Sequence, residues 1–281
     1  MKVLIAGCGD LGTEAGLRFA AAGFSVLGWR RSPRKLPPGI TGSAVDLTGE
    51  LPHIPADTDV VVLAAAADGR TEEAYRAAYV QGTANVLDAL ERDGVRPRRI
   101  LFVSSTAVYG DADGGEVDEE TPPAPASATA AVILEAEQLL HARRPDAVVL
   151  RLAGIYGPGR TRLIDAVTGG TAAVPSGSQL TNRIHRDDAA AAIVHLGTGV
   201  SHPAPLYVGV DREPVEMAEV LAFLAAELGR PLPAPAERTS SRGGNRRLSS
   251  RRLLGTGFEF TYPTYREGYR AVLAGTGVRH P

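Results

Sequence analysis

Cysteine occurs once in this chain and lysine only twice, at Lys2 and Lys35. A single thiol, Cys8, cannot form an internal disulfide, so burial and hydrogen bonding must hold the fold, and a lone cysteine fits a reducing compartment. No apolar run approaches the roughly 20 residues that would cross a bilayer. Neither sign of charge dominates: 30 basic and 32 acidic residues give a net charge of −2, which supplies no electrostatic reason to expect nucleic acid or an anionic membrane as a partner. The histidines show no metal-ligand spacing, and no metal is expected. The opening MKVLIAGCGDLG runs from a short apolar stretch straight into glycines, which reads as a buried first strand and not as a signal peptide. The expectation is a cytoplasmic protein with a small-molecule substrate. A homodimer is left open.

The 281 residues are 44% apolar, enough for one large α/β core or two smaller ones. Short β-branched runs at 3–6, 25–29, 44–45, 59–64, 100–104 and 147–152 alternate with amphipathic stretches at 13–22, 73–92 and 128–141. That alternation predicts a doubly wound parallel sheet with crossover helices, the Rossmann class of α/β fold. Beyond Tyr156 the pattern breaks into Pro- and Gly-punctuated segments. A strand at 206–210, a helix at 215–228, a mobile loop at 231–245 and a last helix at 265–273 follow. The expected organisation is a dinucleotide-binding domain over 1–155, to which 186–210 returns, and a small C-terminal substrate-binding subdomain from 156–185 and 211–281.

Gly7, Gly9 and Gly12 form G-x-G-x-x-G between the first strand and the first helix. The first glycine permits the tight turn, the second lets the backbone approach a pyrophosphate, and the third allows close helix–strand packing. Asp10 and Leu11 open the helix whose free N–H groups and positive dipole end would face the phosphates. NAD-binding versions of this unit usually close the second strand with an acid that bonds the ribose 2′-hydroxyl. Here Arg30 and Arg31 occupy that place, and guanidinium forks pair with a 2′-phosphate that a carboxylate would repel, so the expected cofactor is NADP(H). Asp46, followed by Leu47, ends the third strand and suits an adenine-edge contact.

Several stretches resemble the extended short-chain dehydrogenase/reductase superfamily, the NAD(P)-dependent epimerase/dehydratase group. They are VQGTANVLDA (80–89), LFVSSTAVYG (101–110), DEETPPAP (118–125), LRLAGIYGPG (150–159) and NRIHRDDAAAAI (182–193). The resemblance implies dinucleotide binding at the strand C-termini and substrate held by residues after about Tyr156. It implies that Ala64, Ala65 and Ala66 line the cofactor, that Ser104 borders it, and that Ser105 stands where the family binds a substrate carbonyl. The family's Tyr-x-x-x-Lys pair, which moves the proton, is missing. Aligning PPAPASATAAVILEAEQLL places Thr129 and Ile133 at those two positions, and no other register restores the motif.

Hydride transfer to a carbonyl needs a proton donor near the oxygen. Ser105, Tyr109 and His185 are the candidates for catalysis, with Tyr109 either facing the nicotinamide or packing at the strand end, and His185 either catalytic or a chain anchor. Tyr156 and Arg183 are the candidates for substrate binding, Arg183 as a clamp for an anion. Asp187 and Asp188 cap the helix that they open. Three readings follow: an NADP(H)-dependent oxidoreductase or epimerase-like enzyme with a substitute proton donor, acting on a small carbonyl, hydroxyl or sugar-type substrate; a redox-neutral dehydratase, lyase or cyclase; or an NADP(H) sensor without turnover.

Overall fold

The computed structural model describes residues 1–236 and 244–281, so the middle of the loop expected at 231–245 lies outside the described residues. Seven strands form one wholly parallel sheet: β1 (Lys2–Ala6), β2 (Ser25–Arg30), β3 (Ile40–Ala44), β4 (Thr58–Leu63), β5 (Arg99–Ser105), β6 (Val148–Leu152) and β7 (Leu206–Gly209). Their spatial order is β7-β6-β5-β4-β1-β2-β3. The chain winds outward in both directions from β1, so the order reverses between β1 and β4. In such sheets ligands bind in the crevice that opens there, outside the strand C-termini.

Helices cover both faces: α1 (Asp10–Ala21), α2 (Gly82–Arg92), α3 (Ala128–Arg143), α4 (Arg162–Thr168), α5 (Arg186–Val194), α6 (Met217–Glu227) and α7 (Tyr265–Leu273). Glu72–Tyr75 and a π-helical stretch, Arg76–Gln81, lead directly into α2. The strands are apolar on both sides because both sides are covered. In β1, Val3 and Ile5 join Phe19, Val60, Val62 and Ile193 on the face of α1 and α5. Leu4 and Ala6 join Trp29, Val61, Leu90 and Leu140 on the face of α2 and α3. A separate apolar cluster binds α4, α6 and α7 together through Ile164, Val167, Leu221, Leu224, Tyr265 and Tyr269. None of the described helices is long and apolar enough to cross a membrane.

Two elements differ from expectation. The third strand runs over Ile40–Ala44 and not over 44–45, because ITGSA is an edge strand with Ile40 alone fully buried, and a run that faces water carries little apolar signal. The helix expected from 215 starts at Met217, since Val215–Glu216 first pairs antiparallel with Leu180–Thr181.

Candidate active site

The glycine turn hugs the end of β4. Gly7 has φ +89°, and a Cβ there would lie 2.5 Å from the backbone nitrogen of Ala65, so only glycine serves. At Gly12 a Cβ would stand 3.0 Å from the Gly7 carbonyl oxygen, which is the close packing of α1 on the turn. A Cβ on Gly9 would meet nothing within 4 Å. Gly9 is also the N-cap of α1 and no side chain caps that end, which leaves first-turn N–H groups beside open space. Unpaired donors around an open cradle fit a pyrophosphate.

A cavity of about 500 Å³ continues from this turn over the ends of β2 and β3. Gly7, Gly9, Arg30, Arg31, Asp46, Leu47, Ala64, Ala65 and Ala66 line it, as do Trp29, Lys35 and Asp68, which the sequence did not single out. Arg31 holds Asp68 by a two-pronged pair at 2.5 and 2.6 Å, and the Nη1 of Arg30 donates to the Pro281 carbonyl oxygen at 2.6 Å. Asp46 accepts from the backbone and hydroxyl of Thr48.

Three residues expected at the cofactor are committed elsewhere. The Asp10 carboxylate accepts from Arg160 at 2.7 Å, from Arg186 at 3.0 Å and from the His280 backbone at 3.1 Å. Through it and Glu14, whose Oε2 is paired with His280 at 2.9 Å, the last residues of the chain are pinned to the start of α1. No local pattern in the sequence announces this contact, because its members are up to 270 positions apart. Leu11 packs into the core beneath α1, so only its backbone can reach a ligand. Ser104 turns inward and donates to Glu137, which also receives the fork of Arg151 at 3.0 and 2.6 Å. This buried ion pair is tolerated because both partners are hydrogen-bonded and the contact is bidentate.

A second cavity, about 390 Å³, opens beyond β5 and β6. Ser105, Tyr156 and Arg183 all line it. Ser105 is half-buried, and its Oγ accepts the Ala107 N–H at 3.1 Å, which leaves its own proton available to an oxygen in the cavity. Tyr156 packs against Tyr269 with ring centres 4.5 Å apart and planes tilted by 35°, and burial holds its phenol far above the ordinary tyrosine range, so it stays protonated. Arg246, missed by the sequence reading, is buried in the wall and donates to the carbonyls of Thr106, Tyr109 and Gly110, which fixes the loop after β5.

Tyr109 and His185 do not line this cavity. Tyr109 is 2% exposed and packs with Val108, Val117, Ile133 and Ala153, with the Arg151 guanidinium 4.7 Å from its ring centre. The apolar strand end closes over it, so the alternative of a packing tyrosine is the one the structure realises. His185 is 1% exposed, lies 4.0 Å from the Tyr262 ring, and accepts the Asp187 N–H to cap α5. Burial lowers its pKa to about 4, so at neutral pH it is an uncharged anchor. The cap of α5 is thus His185, two places before Asp187, the first of the acids expected to supply it. On α3, Thr129 contacts the Ser127 hydroxyl at 3.2 Å and Ile133 is buried among apolar neighbours. The positions of a tyrosine–lysine relay therefore hold no proton-transfer pair. Among the described residues no group of three His, Cys, Asp or Glu side chains is arranged to hold a metal ion.

The chain resembles known proteins over nearly its whole length. Protein YeeZ of Escherichia coli K12 is 31% identical over 281 residues, covering 93% of this chain and 96% of that one. A 3-diazoavenalumate denitrifying reductase from Streptomyces is 29% identical across 67% of this chain and 68% of its own. A Methylobacillus flagellatus structure, grouped by name with the NAD-dependent epimerase/dehydratases, superposes with a TM-score of 0.79 at 38% identity, covering 98% of both chains. The NAD dependent epimerase/dehydratase pattern itself matches residues 3–208, the span that builds the sheet and the glycine turn. The chain belongs to the NAD-dependent epimerase/dehydratase family, whose cofactor is a nicotinamide dinucleotide.

Proposed function

We propose that the protein is an NADP(H)-dependent oxidoreductase acting on a small carbonyl- or hydroxyl-bearing substrate. Arg30 and Arg31 on the wall of the first cavity carry this reading, because they stand at the end of β2 where an NAD-selective site presents a carboxylate, and Lys35 adds a third cation to the same wall. A 2′-phosphate would join or replace their present partners, Asp68 and the Pro281 carbonyl. The pyrophosphate would be held by the first turn of α1 above Gly9. When bound, the dinucleotide supplies or takes up a hydride. The chain's own contribution lies in the second cavity, where the Ser105 hydroxyl donates a hydrogen bond to the substrate oxygen and Tyr156 and Arg183 bound the space. In this arrangement residues 1–155 carry the cofactor, and 156–185 with 211–281 carry the substrate. The name of the Streptomyces relative, a reductase, supports hydride chemistry on this fold.

The vacant relay positions Thr129 and Ile133 favour a second reading, a redox-neutral enzyme that keeps the cofactor. Titration of NADPH and NADH, with consumption of NADPH followed over a carbonyl panel, tests both. A charge-assisted pair contributes roughly 1.5–3 kcal/mol, so NADPH should bind at least about tenfold tighter, and Arg30→Asp should erase the preference. Equal affinities in the wild type would overturn the NADP assignment. Product formed without net loss of NADPH would select the redox-neutral reading.

A further inference from the structure

We infer that the second cavity binds its substrate through a carboxylate, with Arg183 as the counter-charge and Ser105 at the reacting end. This deepens the oxidoreductase reading and rests on it for the reacting end only. The carboxylate contact is measured without turnover.

Among the described residues four arginines line the cavity, Arg160, Arg162, Arg183 and Arg246, and no aspartate or glutamate does. Two of them are already committed. Arg160 is paired with Asp10, and Arg246 gives both terminal nitrogens to the backbone of the loop after β5. Arg162 is exposed at the rim. Arg183 is as buried as Arg246, but its terminal nitrogens are not both taken up by the backbone. It is 5% exposed, and among the described residues no carboxylate lies within ion-pair distance of it. Its Nη2 donates to the Thr181 hydroxyl at 2.5 Å, and its Nη1, fully buried, has no partner. Tyr265 and Tyr269 present their rings to the guanidinium, 5.6 and 5.9 Å from the ring centres.

The charge nearest in effect is Asp211, and it does not neutralise the arginine. Burial raises that carboxyl to about 7, so at neutral pH it is only partly ionised, and its one bonded oxygen accepts from the Glu213 backbone at 3.1 Å. A buried guanidinium without a counter-ion is costly, and native proteins pair such groups or let a ligand pair them. The ligand that completes Arg183 is therefore an anion.

The surroundings narrow its chemistry. One guanidinium with one unpaired nitrogen is a site for a single small anionic group. A diphosphate would need several guanidinium groups turned into the cavity, and Arg160 and Arg246 are turned to Asp10 and to backbone carbonyls. The remaining wall combines apolar and aromatic groups, Leu163, Met217, Leu248, Tyr156 and Tyr269, with the polar side chains of Thr106, Gln179, Thr181 and Asn182. That combination takes a compact organic acid whose carboxylate meets Arg183 and whose body lies against the tyrosines.

The test is calorimetric titration of the full chain, alone and saturated with NADP⁺, with carboxylates of two to nine carbons, 3-phenylpropanoate included. Each acid is compared with its own neutral amide, and inorganic phosphate and UDP are run beside them. At least one acid should bind tenfold to a hundredfold tighter than its amide, the range expected for a hydrogen bond to a charged group. Arg183→Gln should erase that difference while NADPH affinity stays within twofold, and Arg183→Lys should restore part of it. Should Arg183→Gln fail to fold, Arg162→Gln, on the exposed rim, should change the acid-to-amide ratio less than threefold, and a larger loss there would move the anion site to the rim and overturn the assignment. The inference also falls if no acid outbinds its amide, or if UDP outbinds every acid. Loss of NADPH preference with acid binding intact would instead remove the cofactor reading and leave this one standing.

Discussion

The two cavities at the sheet's C-terminal edge are built on different principles. The first rests on a contiguous turn: Gly7, Gly9 and Gly12 are set by the strand before them and the helix after them, and their ligands would be backbone N–H groups. The second is lined by side chains from segments around 105, 155, 180, 217, 246 and 269, which meet only after the sheet, α4, α6 and α7 have packed. A site made of backbone is dictated by local sequence and tolerates change around it. A site made of distant side chains can be rebuilt residue by residue.

Gly9→Val probes the first kind of site most severely. Its Cβ meets nothing in the protein, so the variant should fold normally, yet the added methyls fill the pyrophosphate's place and dinucleotide binding should drop below detection. Gly7→Val should instead destabilise the fold itself by driving a side chain into the Ala64–Ala65 backbone. Thermal melting and cofactor titration on both variants check this. A folded Gly9→Val protein with undiminished affinity would break the comparison at its stronger end.

Ser105→Ala probes the second kind. Losing one positioned donor to a developing oxyanion typically costs about 10²–10³ in rate, so turnover should fall by about that factor with cofactor affinity unchanged. Tyr109→Phe and His185→Gln, which lie outside the cavity, should alter kcat by less than about fivefold. A hundredfold loss in either would mean that the cavity opens toward them in the working enzyme.

The smallest effects are in the polar groups buried around the second cavity, and they carry opposite signs. The Asp211 carboxyl, held near 7, keeps its proton in the folded state where the unfolded chain has lost it. Its contribution to stability is present below about pH 4 and is lost as the pH rises through about 7. His185, lowered to about 4, refuses a proton that the unfolded chain accepts, so its contribution is lost as the pH falls from about 6.5 to about 4. Relative to wild type, Asp211→Asn should therefore gain melting temperature as the pH is raised from 4.5 to 7.5, and His185→Gln should flatten the acid side. A pH-independent difference for Asp211→Asn would mean that this carboxyl is fully ionised in the folded protein.

Much of the sheet was legible because its strands are buried on both sides and carry unbroken apolar runs. VLIA, VVVL and ILFV announced themselves, whereas ITGSA at the edge did not. The last helix was readable over its full length from spacing, and the structure adds a capping box of Thr264 and Glu267 at its start. On the cofactor side the glycines, the arginine pair and the alanines after β4 were legible, since each follows a strand end directly in the chain. For the second cavity the sequence named Ser105, Tyr156 and Arg183 but also Tyr109 and His185, with nothing to separate them.

Sequence alone determined the buried strands of the sheet, the place of the glycine turn and the absence of a tyrosine–lysine pair, because each depends on residues within a few positions of one another. Tertiary structure alone decided which polar side chains face the cavity. It buried Tyr109 against Ile133 and Arg151, turned Ser104 onto Glu137, and set His185 to cap α5. It also left Arg183 with an unpaired nitrogen and brought the chain's last residues onto Asp10. The physical reason is range: hydrogen-bonded turns and strand periodicity are properties of neighbouring residues, whereas burial and pairing of a side chain depend on elements up to 270 positions away that share its surroundings only once packed.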